Sequence, residues 1–173
     1  ITRGYKNNDI SYVNLMLKYG LCNYYNYSIS GSHPSSMSGI QLQNFKNDNI
    51  DKNSIAFITI ASGTNDYNAG SLVGDLDTCM TNYENTIKTL IDEFPEVPII
   101  CLLPMQRNGD NVVGVGVNSA GYTLKEYNDR LEELCDKYSI DTVNLYSDLG
   151  ICVANINNYT YDGIHPKNNG QKL

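Results

Sequence analysis

The stretch Ser54 to Asp66, SIAFITIASGTND, decides the fold class. Its first part, Ser54 to Ser62, is rich in β-branched and apolar side chains, and Gly63-Thr64-Asn65-Asp66 then breaks the run with turn residues. The segment therefore reads as a short buried strand that delivers a polar turn at its carboxyl end.

Two further runs, Val97 to Leu103 (VPIICLL) and Asp141 to Tyr146 (DTVNLY), read the same way, and Cys22 to Ile29 (CNYYNYSI) reads as a less apolar fourth strand. Helical periods lie between them. Leu76, Cys79, Met80, Tyr83, Ile87, Leu90, Ile91 and Phe94 recur at spacings of three and four, which predicts a helix with one apolar face that ends near Pro95. Leu124, Tyr127, Leu131, Leu134, Cys135 and Tyr138 repeat that pattern, with Thr123 and Glu126 spaced as a capping box. Ile10, Val13 and Leu17 mark a shorter helix that Gly20 is expected to end. Strands alternating with helices specify an α/β protein with a mostly parallel sheet.

A chain of 173 residues has the size of one domain, and the expected unit is a single domain spanning residues 1–173. With 41% hydrophobic and 18% charged residues it has ordinary globular composition, and no apolar run approaches the roughly 18 to 20 residues of a membrane-spanning helix. Nineteen acidic against twelve basic residues give a net charge of -7, which leaves no electrostatic footprint for nucleic-acid phosphates.

Five cysteines, Cys22, Cys79, Cys101, Cys135 and Cys152, form no C-x-x-C pair and no zinc-finger spacing with histidine, so no metal site is expected. Cys79, Cys101 and Cys135 fall on apolar faces or runs and read as small buried hydrophobes. The odd count argues against a full disulfide framework. Ile1 to Asn8 carry no signal-peptide pattern. Asparagine occupies 23 positions and tyrosine 14, and the tyrosines read either as ordinary amphipathic core or as a platform for sugar rings.

In parallel α/β sheets functional groups gather in loops at the carboxyl ends of strands. Three such loops hold the chemistry-bearing residues. Asn65, in the turn after Ser62, offers a neutral amide donor for a developing oxyanion, although Gly, Asn and Asp also simply end strands. Near the end of the chain, Tyr161-Asp162-Gly163-Ile164-His165-Pro166 places an acid three residues before a histidine. That spacing lets Asp162 hold the Nδ1 proton of His165 and leave Nε2 free as a general base, or make a purely structural pair. After the Cys22 to Ile29 run, Gly31 can bring its backbone N–H close to a ligand. His33 beside it reads as an exposed loop histidine or as a residue lining the pocket beside Gly31, and Asp66 as a group that braces its turn.

Taken in order, these segments resemble the blocks of the SGNH hydrolases, also called the GDSL esterase/lipase family. Gly31, the run Gly63 to Asp66, and Asp162 with His165 match the family's glycine, G-x-N-D and D-x-x-H blocks. Thr123 to Asn128 and Val143 to Tyr146 are similar to its last helix and strand. The resemblance covers nearly the whole chain and implies a flavodoxin-like three-layer α/β/α sandwich.

The family's nucleophilic serine lies in a G-D-S block after the first strand, usually followed by Ile-Thr, and this sequence opens Ile1-Thr2-Arg3. The nucleophile and the first strand are therefore expected just upstream of Ile1, with the chain clipped at its far end as well. In a 2-1-3-4-5 order that strand is central, and its loss would leave buried backbone groups unpaired at about 1–3 kcal/mol each.

The resemblance implies a serine esterase acting on small acyl esters through an acyl-enzyme. His165 and Asp162 would be the base and its orienting acid, and Gly31 and Asn65 the oxyanion donors. No metal or organic cofactor is implied. The segment Met105 to Gly121 is glycine-rich, is expected to border the pocket, and lacks a long apolar lid. Deacetylation of a carbohydrate ester is thus the first expectation for substrate and lipolysis of longer acyl chains the second. The rival from another class is a catalytically silent module that binds a glycan or protein. A flavodoxin-like nucleotide-binding domain is a third option, but no Gly-rich phosphate loop follows any strand.

Overall fold

Three of the four expected strands form one parallel sheet. The computed structural model describes residues 11–20, 23–34, 37–108, 116–152 and 154–173. In it β1 (Ile58–Ile60), β2 (Ile99–Leu103) and β3 (Asp141–Asn144) lie in the order β1-β2-β3, with Ile60 opposite Cys101 and Leu103 opposite Asn144. Each strand is shorter than or equal to the apolar run that announced it. Before β1, for example, Lys52–Ser54 turn as a short 3₁₀ helix capped by the Asp51 side chain.

The expected strand Cys22 to Ile29 is not formed. Asn23 to Ile29 is irregular and pairs with no strand among the described residues, while Cys22 lies outside them. Its polar side chains explain part of this: Asn26 Oδ1 accepts both the Ser28 N–H at 3.0 Å and the Ser28 hydroxyl at 2.6 Å, which serves the backbone locally instead of through a ladder.

The helices follow the periodicity closely. α1 (Tyr12–Lys18) is capped by Ser11, and Gly20 follows its end at φ +68° as the left-handed residue expected there. Val13 and Leu15 are its buried residues, whereas Leu17, expected on the apolar face, is exposed, and Ile10 lies outside the described residues. α2 (Leu42–Asn47) continues from a π-helical turn at Met37–Gln41, and α3 (Thr64–Ala69) follows the turn after β1. α4 (Leu76–Glu93) and α5 (Leu124–Lys137) are the two long amphipathic helices, and α6 (Ile156–Tyr159) is a single turn near the end. In α5 the Thr123 side chain accepts the Glu126 N–H and the Glu126 carboxylate takes the Thr123 N–H, so the predicted capping box is present.

The two faces of the sheet receive different partners because side chains alternate along a strand. Ile60, Ile99, Cys101 and Leu103 join Cys79, Tyr83 and Ile87 of α4 and Tyr127, Leu131 and Cys135 of α5 in the main core. Burying one such aliphatic or aromatic side chain is worth about 1.5–3 kcal/mol, so this layer carries the fold. On the opposite face the Thr59 hydroxyl meets Tyr12 Oη of α1 at 3.3 Å, and the Tyr12 N–H donates to Gln171 Oε1 at 3.1 Å. Helices therefore cover both faces of a parallel sheet, which is the α/β architecture expected.

Cys79, Cys101 and Cys135 are fully buried as read, and Cys152 is exposed. Tyr67, Tyr83, Tyr122 and Tyr127 are core residues, so these four act in packing and not as a sugar platform. No helix among the described residues is long and apolar enough to cross a membrane.

Candidate active site

Parallel strands all point their carboxyl ends the same way, so the loops after β1, β2 and the last elements meet at one edge. The turn Tyr161 to Pro166 is closed by the Tyr161 N–H donating to the His165 carbonyl at 2.9 Å and by a bridge between Thr160 and Pro166. Inside it, Asp162 Oδ1 accepts the backbone N–H of His165 at 2.8 Å and of Ile164 at 3.1 Å. Its other oxygen, Oδ2, lies 2.8 Å from His165 Nδ1. The carboxylate thus fixes both the turn and the imidazole, which directs Nε2 away from it.

Partial burial opposes the Asp162 charge, but the N–H groups of His165 and Ile164 and the imidazole outweigh it and hold the carboxyl below its ordinary value. Both side chains of the pair keep about a third of their surface exposed, at 36% for His165 and 38% for Asp162, so a ligand has access to the ring.

Gly31 occupies the third position of a turn closed by the Ser32 N–H donating to the Ile29 carbonyl at 3.2 Å, with φ +76°. That left-handed conformation is the reason for glycine here, since a Cβ would meet nothing within 4 Å. Asn65 reaches the same loop, its Nδ2 donating to the Ser32 carbonyl at 3.0 Å. A primary amide carries two N–H donors, and among the described residues the Asn65 amide uses one of them to anchor the loop. The structure therefore brings Asn65 to the residue that follows Gly31.

The link from this pair to the His165 turn runs through residues that the sequence reading did not single out. Arg107, in the loop after β2, donates from one terminal nitrogen to the Thr64 carbonyl at 3.3 Å and from the other to Asn68 Oδ1 at 2.7 Å. Its guanidinium carbon lies 5.7 Å from the centre of the Tyr67 ring. The next residue, Asn108, donates its N–H to the Gly163 carbonyl at 2.6 Å. Two consecutive residues thus tie the Asn65 turn to the Asp162–His165 turn. Gly163 must be glycine for this contact, because it has φ +81° and a Cβ would sit 2.4 Å from Asn108 Cβ. The only sequence signal for Arg107 was its place inside the segment Met105 to Gly121, read as bordering the pocket. Residues 109–115 of that segment lie outside the described residues.

The fold brings His33 and Asp66 together. His33 is only partly exposed, and its Nδ1 lies 3.7 Å from Asp66 Oδ1, an ion-pair contact longer than a hydrogen bond. Asp66 is completely buried and neither carboxylate oxygen accepts a hydrogen bond among the described residues. Burial pushes its carboxyl up to about 6, although His33 pulls the other way.

The arrangement can orient an imidazole through Asp162 and present amide N–H groups from the Asn65 turn. The model of the GDSL-like Lipase/Acylhydrolase family matches residues 1–173. No curated protein sequence matches the chain. A solved structure from Lactobacillus plantarum is similar with a TM-score of 0.74 at 21% identity, over 96% of this chain and 86% of its own. A member of the lipolytic protein G-D-S-L family from Veillonella parvula has a TM-score of 0.71 at 19% identity, over 99% of this chain and 87% of its own. An acetylxylan esterase from Geobacillus stearothermophilus has a TM-score of 0.60 at 17% identity, over 94% of this chain and 76% of its own. Identities this low speak to the fold, whereas the family model spans all 173 residues. On that match the chain belongs to the GDSL-like lipase/acylhydrolase family.

Proposed function

We propose that this protein is a serine esterase that cleaves small acyl esters through an acyl-enzyme, with O-deacetylation of a carbohydrate as its reaction. The observation that carries the reading is the Asp162–His165 pair, hydrogen-bonded at 2.8 Å on a turn that Asn108 and Arg107 couple to the Asn65 turn. The likeness to an acetylxylan esterase supports acetyl as the acyl group and a sugar as the alcohol.

In this reading each residue takes the role that its chemistry suits. The family's nucleophilic serine attacks the ester carbonyl carbon while His165 Nε2 takes its proton, and Asp162 stabilises the imidazolium through Nδ1. The carbonyl oxygen becomes an oxyanion that accepts N–H groups from Gly31, Asn65 Nδ2 and the serine itself. The carbon–oxygen bond to the alcohol then breaks, and His165 delivers the proton to the leaving oxygen. Water attacks the acyl-enzyme with His165 again as base, which releases the carboxylic acid and restores the serine. Preorganised donors of this kind are each worth about 10² to 10³ in rate.

The test is the intact mass of the full-length protein before and after a serine-reactive fluorophosphonate, together with acetate release from acetylated xylan. One adduct per chain, abolished by His165→Ala, and release of acetate are expected. A full-length protein that takes no adduct and cleaves no aryl acetate overturns the esterase reading and favours a silent binding module. Cleavage of long-chain aryl esters in preference to acetates overturns the choice of acyl group.

A further inference from the structure

Three consecutive residues of the loop that carries Gly31 are held by two elements, α3 and α4. The Ser32 carbonyl accepts Asn65 Nδ2 at 3.0 Å, His33 Nδ1 faces Asp66 Oδ1 at 3.7 Å, and the Pro34 carbonyl accepts the buried Thr86 hydroxyl of α4 at 2.6 Å. Two of these three contacts come from neighbours in sequence, Asn65 and Asp66. A hydrogen-bonding amide and a buried acid therefore grip the same loop side by side.

A turn brace alone does not need a carboxylate. Burying one without hydrogen bonds is costly, and asparagine would fill the same space without charge. Asp66 is nonetheless an acid, completely buried, one residue from the amide assigned to the oxyanion. The ionisable groups that bear on Asp66 from the other elements are Cys79 of α4, Tyr122 before α5 and Tyr127 within it, all held in their neutral forms by burial. Among the described residues, His33 is the side chain that opposes the effect of burial on Asp66.

We propose that His33, acting through Asp66, is a positioning residue of the oxyanion hole: the contact between the two side chains holds the Gly31 turn against the Asn65 turn. This inference rests on the esterase reading. It assigns His33 no contact with substrate, so the effect is on the rate of the chemical step and not on binding.

The experiment compares full-length wild type, His33→Gln, Asp66→Asn and the double variant. In His33→Gln, kcat for an aryl acetate is expected to fall about 10- to 100-fold with KM within about twofold, since only transition-state stabilisation is lost. The rate of fluorophosphonate labelling is expected to fall by a similar factor while the final yield stays at one adduct per chain, which a partly unfolded variant would not give. The Asp66 carboxyl, followed by ¹³C NMR, is expected to titrate higher in His33→Gln than its wild-type value of about 6, as the imidazole no longer opposes burial. In the Asp66→Asn background the His33→Gln change is expected to cost less than about twofold, because residues that act as a unit are not additive.

A wild type that labels and turns over while His33→Gln keeps kcat within about twofold overturns the positioning role and leaves the esterase intact. Fully additive losses in the double variant, or a labelling yield that falls with the rate, overturn it as well. A wild type that neither labels nor hydrolyses ends the esterase reading and this inference with it.

Discussion

Replacing Asp162 by asparagine separates the two jobs this side chain does in the structure. Oδ1 accepts the Ile164 and His165 N–H groups at 3.1 and 2.8 Å and shapes the turn, whereas Oδ2 takes the Nδ1 proton at 2.8 Å and orients the ring. An asparagine carbonyl in the Oδ1 position keeps the first job, so the turn and the melting temperature are expected to survive, with a change within about 1 kcal/mol. Its amide group in the Oδ2 position is a donor, and it faces Nδ1 with a proton where an acceptor stood. The imidazole then carries its own proton on Nε2, the atom that must accept one from the nucleophile, and the forming imidazolium loses its carboxylate. The expected loss is about 10³- to 10⁴-fold in kcat, or about 4 to 5.5 kcal/mol in the barrier. The assay is aryl acetate hydrolysis by full-length protein, read alongside thermal unfolding. Asp162→Ala is the control, since it removes the acceptor of both N–H groups and should lower activity and melting temperature together. Asp162→Asn with a rate within about tenfold of wild type would refute the argument, as the tautomer would then not matter.

Asn65→Ala is expected to lower kcat by about 10²-fold with little change in KM, checked by steady-state kinetics; a change confined to KM counts against an oxyanion role. Gly163→Ala, which places a Cβ 2.4 Å from Asn108 Cβ at φ +81°, is expected to destabilise the fold by about 2 kcal/mol or more and to reduce activity by shifting His165. An unchanged urea midpoint would show that the contact is not held in solution. Asp66 makes a prediction about pH. Its folded value of about 6 lies above the ordinary 3.8, so the folded chain binds the proton more tightly and stability falls as pH rises between those values. At about 1.4 kcal/mol per pH unit the cost above pH 6 is about 3 kcal/mol at most. Asp66→Asn should therefore be more stable than wild type at pH 7 and lose that advantage towards pH 4, as measured by urea unfolding. A difference that does not vary with pH would mean that Asp66 is not perturbed.

What was legible in the sequence has a common physical basis. α4 and α5 announce themselves because their apolar residues repeat at the helical period, and the capping box of α5 joins residues three apart. The Asp162–His165 pair is equally local, an acid and a base three residues apart on one turn, so its hydrogen bond needs no information from the rest of the chain. Cys79, Cys101 and Cys135 lie on apolar faces or runs, and burial follows from the pattern alone.

Other features required the chain to be folded. The run Cys22 to Ile29 looked like a strand, but a strand exists only through a ladder partner, and among the described residues Asn26 serves the local backbone instead. His33 looked like a surface histidine because nothing near it in sequence is acidic; Asp66 reaches it only after β1 and α3 have been placed. Arg107 looked like one more polar residue in a loop, yet its bonds to Thr64 and Asn68, and the Asn108 bond to Gly163, join turns far apart in the chain. The sequence by itself determined the order and period of the elements and the acid–base pair, since those interactions close within a few residues. Tertiary structure decided which loops share an edge of the sheet and which buried charge faces which imidazole, because such partners are chosen by sheet register and packing and leave no trace in local spacing.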